Sequence, residues 1–240
     1  MALHFFFDVA AWLSMVLMTN WLYRLRFRQA FDRFGERLGG RYFVAITLGG
    51  LAGAYGFGTL NLFFSGTPGF ARSALGGLVG AIAAVEYYKS RRGVRGSTGA
   101  VFAVPLCMGL AIGRLGCFFG GLPDQTVGNP TDLPAGVDFG DGVRRHPVQL
   151  YESLSMALAA LVLGLGVWRR APLAMTTGFY LAVGWYAAQR FLWEFLKPYG
   201  AIVGPLNLFH LLCLLLFAYA LIMAGRNAAA TSSRPVGGDA

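Results

Sequence analysis

Charge is scarce in this sequence. Of 240 residues, 13% are Asp, Glu, Lys or Arg, while 56% are hydrophobic. A soluble domain carries about 25% charged residues, and disorder needs low hydrophobicity with high charge, so neither class fits. Cysteine is rare as well. Cys107, Cys117 and Cys213 form no CxxC pair, so their spacing supports neither a disulfide framework nor a zinc site. No phosphate loop and no ligand-spaced cluster is found, so no metal and no nucleotide cofactor is expected. The first apolar stretch lacks a basic region before it and a clear small-residue cleavage site after it, so no cleaved leader is expected. Strand-like alternation is missing, which speaks against a membrane barrel. There is no internal repeat, which speaks against many transporter folds.

Long apolar runs are what the chain does have. Mean hydropathy is +0.55. A membrane helix needs about 20 mostly apolar residues. Seven runs qualify, at 5–22, 42–64, 73–88, 99–120, 151–168, 174–195 and 203–224, the third of them short. The expected fold class is all-α: a polytopic integral membrane protein with about seven transmembrane helices. Residues 1–226 form one domain with an outer loop at about 121–150, and residues 227–240 read as a disordered cytoplasmic tail.

The net charge is +9. Fourteen of the 20 Lys and Arg fall on one side if seven spans alternate: Arg24, Arg26, Arg28, Arg33, Arg37, Arg41, Lys89, Arg91, Arg92, Arg95, Arg169, Arg170, Arg226 and Arg234. That side is cytoplasmic by the positive-inside rule, which puts the N-terminus outside and the C-terminus inside. The basic excess is thereby explained by loops, and no nucleic-acid partner is expected. The other six, Arg72, Arg114, Arg144, Arg145, Arg190 and Lys197, lie on or near the outer side. Arg114 and Arg190 fall inside spans, where arginine is costly and faces a cavity or a partner. Two readings stay open: snorkelling to headgroups, or binding a phosphate, whose geometry guanidinium matches bidentately.

Three segments carry candidate chemistry. Gly113-Arg114-Leu115-Gly116-Cys117, with Gly120 and Gly121 following, closes the fourth span as either an anion cradle or a small-residue packing face. Arg145-His146-Pro147-Val148-Gln149-Leu150-Tyr151-Glu152 leads into the fifth. There Gln149 and Glu152 share a helix face, and His146 is a general acid or base or else a helix cap. Arg190 and Glu194 stand four apart, either as a structural ion pair or with Glu194 orienting Arg190 toward substrate. Asp8 and Glu86 lie within apolar runs near opposite faces, Glu86 close to Lys89 and Arg91. His210 sits mid-run in the last span.

Together these motifs resemble the prolipoprotein diacylglyceryl transferase family of bacterial inner membranes. Gly113-Arg114-Leu115-Gly116 is similar to the start of the family's Gly-Arg-x-Gly-Asn signature. His146-Pro147-Val148-Gln149-Leu150-Tyr151-Glu152 is similar to its His-Pro-x-Gln-Leu-Tyr-Glu segment, and Arg190 to Phe195 resembles its Arg-x-x-x-Glu-Phe segment. Ser73-Ala74-Leu75-Gly76-Gly77-Leu78 resembles its Ser-x-His-Gly-Gly-Leu segment. The motif order, the seven spans and the orientation agree across nearly the whole chain.

The resemblance implies transfer of a diacylglyceryl group from phosphatidylglycerol to the lipobox cysteine of a preprolipoprotein signal peptide, with glycerol phosphate leaving. Arg114, Arg190, Glu194 and His146 are the catalytic candidates. Arg72, Ser73, Gly76, Gly77, Gly113, Gly116, Gln149, Tyr151 and Glu152 are the candidates for binding substrate. Phosphatidylglycerol, the signal peptide and membrane lipids are the partners implied, and no cofactor is. The sequence departs from the family at several positions: Leu75 replaces its histidine, Cys117 its asparagine, and Gly120-Gly121-Leu122 its Asn-Gly-Glu. Lys197-Pro198-Tyr199 and Phe6 differ as well. With Leu75 unable to take a proton, His146 or Glu152 would have to serve, or the mechanism differs. Cys117 is open to two readings, a small residue filling the asparagine's place or a nucleophile favoured by the adjacent guanidinium. Divergence to another acceptor, or a non-catalytic lipid-binding or transport role, remains the alternative.

Overall fold

In the computed structural model, residues 2–67 and 69–232 are described; Pro68 and the tail from 233 onward lie outside them. Eight helices carry nearly all the structure: α1 (Ala2–Leu22), α2 (Arg28–Leu38), α3 (Arg41–Phe64), α4 (Ala74–Arg91), α5 (Ala103–Gly120), α6 (Val148–Trp168), α7 (Pro172–Glu194) and α8 (Leu208–Ser232). The expected all-α class is therefore observed. A π-helical turn, Tyr23–Phe27, joins α1 to α2, which is amphipathic and rich in arginine.

Five segments are long and apolar enough to cross a membrane: Leu3–Asp32, Arg41–Phe64, Ala100–Gly120, Val148–Trp168 and Leu208–Ala229. The other two expected spans correspond to α4 and α7, which carry more polar side chains. Large apolar residues face outward on the long helices, with Trp12 69% and Leu154 71% exposed. Patches of that extent are stable only against another apolar phase. Helix α8 runs through residues 227–232, where a disordered tail was expected.

Side-chain contacts fix the helix directions. Ser153 Oγ donates to the Ala111 carbonyl at 2.8 Å and Gly164, further along α6, faces Val104 near the start of α5, so α5 and α6 run antiparallel. Asn227 Nδ2 donates to the Thr176 carbonyl at 2.8 Å, which sets the end of α8 beside the start of α7. On the arginine-rich end, Glu86 Oε1 accepts from Lys89 Nζ and from Tyr219 OH, each at 2.9 Å, tying α4 to α8. At the opposite end lie the start of α6, the end of α7 and the start of α8. The functional candidates collect there.

Helices α3 and α4 touch through glycines. Gly49 and Gly53 face Gly76 and Gly80, so the two backbones sit against one another. Such small-residue seams let helices approach where lipid offers no hydrophobic drive. A methyl on Gly53 would come within 2.8 Å of the Gly80 Cα, and backbone cannot move aside as a side chain can. Gly53→Ala is expected to cost about 1–3 kcal/mol by overpacking. Gly56→Ala points into open space and should leave stability unchanged. Thermal unfolding of both variants in detergent checks this, and equal midpoints would refute the seam.

Candidate active site

Glu152 lies one turn into α6 and is fully buried. Its Oε1 accepts from Lys197 Nζ at 2.8 Å and from Arg190 Nη1. Its Oε2 lies 2.5 Å from Arg114 Nε on α5. Arg190 turns its Nη2 to Glu194 Oε2, 2.8 Å away and one turn along α7. Glu194 Oε1 accepts from Asn207 Nδ2 at 3.1 Å. Asn207 in turn opens α8, its Oδ1 accepting from the His210 backbone N–H at 3.0 Å. One continuous network therefore links α5, α6, α7 and α8.

Burial makes the charges in this network strongly coupled. Arg114, Arg190, Lys197, Glu152 and Glu194 are all 8% exposed or less. Burial, reinforced by Arg190, pushes Lys197 down to about 8, although Glu152 pulls it upward. The cluster holds three cations against two carboxylates, an excess of one positive charge. Several buried polar atoms around it have no hydrogen-bond partner among the described residues: Arg190 Nε, Tyr186 OH, Gln149 Oε1, Gln189 Oε1 and His210 Nε2. Buried polar groups are nearly always paired, so these atoms leave hydrogen-bonding capacity unused beside a net charge.

The structure sorts the sequence candidates. Arg114, Glu152, Arg190 and Glu194 come together, and Gln149 lies one turn before Glu152 with its Nε2 3.3 Å from Thr126 Oγ1. The Tyr151 ring lies 5.3 Å from that of Trp193, tilted 51° to it. Glu152, a candidate for binding substrate or for taking a proton, is paired with three cations. Among the described residues no hydrogen bond or ion pair joins the His146 side chain to the cluster; its ring lies 6.4 Å from that of Tyr151, and its buried Nδ1 has no partner there. Ser73 caps α4, its Oγ accepting from Gly76 N at 3.1 Å, and Gly76 and Gly77 pack against α3. Gly116 packs against Phe7, and Gly113 borders open space. Arg72 is exposed, and Leu75 is fully buried in the apolar core.

Two other arginines are occupied within the loop after α5. Arg144 donates to the carbonyls of Leu133, Pro134 and Gly136, and Arg145 pairs with Asp141 at 2.7 Å. That hydrogen bond holds the Asp141 carboxyl below its usual range. The loop carries a short antiparallel ladder, β1 (Val137–Asp138) with β2 (Arg144–Arg145). It is latched to the end of α7 by Asn129 N donating to the Leu196 carbonyl at 2.7 Å.

A sequence model described as prolipoprotein diacylglyceryl transferase matches residues 9–225. The chain belongs to the prolipoprotein diacylglyceryl transferase family. Among curated relatives named phosphatidylglycerol–prolipoprotein diacylglyceryl transferase, that of Geobacter sulfurreducens is 34% identical over 156 residues, 62% of this chain and 58% of the relative. That of Polynucleobacter necessarius is 34% identical over 181 residues, 72% of this chain and 64% of the relative. The Vibrio vulnificus protein is 34% identical over 174 residues, 68% of this chain and 62% of the relative. The chain thus spans about three fifths of the length of the curated relatives it matches. No solved structure matches it.

Sequence reasoning missed part of this cluster. Lys197 stood out as an outer-side cation and as a departure from the late family motif, and Asn207 and Tyr186 not at all. The Asn207-x-x-His210 spacing at a helix start was the available signal. Removing a shared buried counter-ion strands its partners. Glu152→Gln is therefore expected to destabilise the protein by about 3–5 kcal/mol. Asp141→Asn, in an exposed pair, is expected to leave stability nearly unchanged. Denaturant unfolding of the two variants tests the ranking.

Proposed function

We propose that this chain is a phospholipid-dependent transferase. It moves a diacylglyceryl group from phosphatidylglycerol to the lipobox cysteine thiol of a preprolipoprotein signal peptide and releases glycerol phosphate. The observation that carries the reading is the buried excess of one positive charge ringed by unpaired polar atoms. A phosphodiester brings one negative charge and several acceptor oxygens, so it answers both.

In this reading Arg114 and Arg190 hold the lipid phosphate. Their guanidinium groups also stabilise the charge that grows on it as the glycerol carbon–oxygen bond breaks, an effect strongest in a dry site. Glu152 and Glu194 keep both arginines oriented, and Lys197 completes the charge balance. The acceptor sulfur attacks the glycerol carbon and forms the thioether. Membrane lipid reaches the site laterally between helices. The chain sits in the bacterial inner membrane with α4 and α7 as its two further spans, seven in all. Residues 1–226 form one membrane domain, the N-terminus lies outside and the arginine-rich end is cytoplasmic. The site then faces the outer leaflet, beside the loop at about 121–150.

Leu75 favours a second reading. Where the family motif has a histidine, this chain has a fully buried apolar side chain. The scaffold would then serve another acceptor, or bind lipid without transfer.

Purified protein incubated with phosphatidylglycerol and a lipobox peptide should yield glycerol phosphate and the mass of a diacylglyceryl thioether. Arg114→Ala and Arg190→Ala should each slow transfer by about 100-fold or more while leaving the chain membrane-inserted. Full activity in both variants would refute the phosphate cradle. Absence of transfer by the unmodified protein, with phospholipid still bound, would favour the second reading.

A further inference from the structure

A second polar cluster adjoins the first. His4, on the first turn of α1, meets Cys117 near the end of α5 and Asp124 in the turn beyond it. One potential ligand atom from each of the three lies within 4.8 Å of the others. His4 Nε2 is 3.0 Å from Asp124 Oδ1 and 3.9 Å from Cys117 Sγ. In a tetrahedral zinc site, bonds of about 2.0–2.3 Å set ligand-to-ligand edges of roughly 3.3–3.6 Å. The observed separations bracket that range.

The atoms turned away from this focus are held as well. His4 Nδ1 lies 3.3 Å from Asp8 Oδ2, the carboxylate–histidine arrangement that leaves Nε2 as the ligating nitrogen. Thr126 Oγ1 donates to Asp124 Oδ2 at 2.6 Å and leaves Oδ1 facing the histidine. Gly120 permits the approach: a methyl there would stand 3.3 Å from His4 Cδ2 and 3.1 Å from Asp124 Cβ.

We propose that His4, Cys117 and Asp124 bind a zinc-class divalent cation, with Asp8 and Thr126 as the supporting shell. Sulfur, imidazole and carboxylate together suit zinc, and cobalt(II) substitutes for it as a coloured probe. Three protein ligands leave one tetrahedral position for water or substrate. The site touches the first cluster, since Arg114 Nη1 lies 3.8 Å from Cys117 Sγ. Resting on the transferase reading, a consequence follows for Leu75. An acceptor thiol taking the fourth position loses its S–H proton to solvent water as the sulfur–metal bond forms. The bound thiolate then attacks the glycerol carbon. The carbon–sulfur bond forms, the carbon–oxygen bond breaks, and glycerol phosphate departs with the electron pair. No histidine at position 75 is needed.

The test uses the full chain in detergent, stripped with a chelator and titrated with cobalt(II). One equivalent should give a near-ultraviolet thiolate-to-cobalt charge-transfer band, which zinc displaces. Cys117→Ser should abolish the band, and Asp8→Asn should weaken binding about 10–100-fold. Absence of the band in the unmodified protein, a reading that needs no variant to fold, overturns the site. So does its persistence in Cys117→Ser. A lipobox-cysteine peptide should strengthen the band, whereas a serine counterpart should not. No response to the cysteine peptide overturns the activating role alone. Failure of the transferase reading shows separately, as loss of glycerol phosphate release from protein that still binds cobalt.

Discussion

One buried carboxylate ties together three of the long helices of this molecule. Glu152 is shared by Arg114 of α5, Arg190 of α7 and Lys197 just beyond the end of α7. Two unit charges 4 Å apart interact by about 1 kcal/mol in water and by about 4 kcal/mol at an effective dielectric of 20. Burial therefore makes this meeting both strong and exacting, because any one partner alone would be stranded in a medium that cannot solvate it. The positions of α5, α6 and α7 relative to one another follow from that requirement. Glu194 and Asn207 extend it to α8.

The rest of the fold serves that end. The loop after α5 spends Arg144 and Arg145 on its own carbonyls and on Asp141, so both guanidinium groups are already occupied within it. At the arginine-rich end, the Lys89–Glu86–Tyr219 contacts tie α4 to α8 without involving the site. The glycine seam between α3 and α4 brings Ser73, Gly76 and Gly77 into helix packing, and it leaves Leu75 in the apolar core. Where the resembling family motif has a titratable ring, this chain has packing. The proton chemistry of any transfer therefore has to be found elsewhere, and His4 with Cys117, Asp124 and Asp8 is the constellation proposed for it.

Much of this was legible in the residues. Low charge and long apolar runs specify lipid-facing helices because backbone in hydrocarbon must satisfy its own hydrogen bonds. The i to i+4 spacing of Arg190 and Glu194 places both on one face, and they do pair. The Gln149 and Glu152 spacing turns both inward. The weaker apolar character of α4 and α7 was legible too, in retrospect, as the mark of helices that carry polar contacts rather than meet lipid all round.

Tertiary structure alone decided which charges meet. The sequence determined the helices, their alternation and the scarcity of groups able to do chemistry, since these depend on local composition and periodicity. It could not show that Lys197 and Asn207 close the cluster, that no hydrogen bond or ion pair among the described residues joins the His146 side chain to it, or that Glu152 is paired with three cations. Nor could it show that His4 reaches Cys117 across 113 positions. Such pairings are set by how helices far apart in sequence cross, and long-range Coulomb and packing terms choose among crossings that the local pattern leaves equivalent.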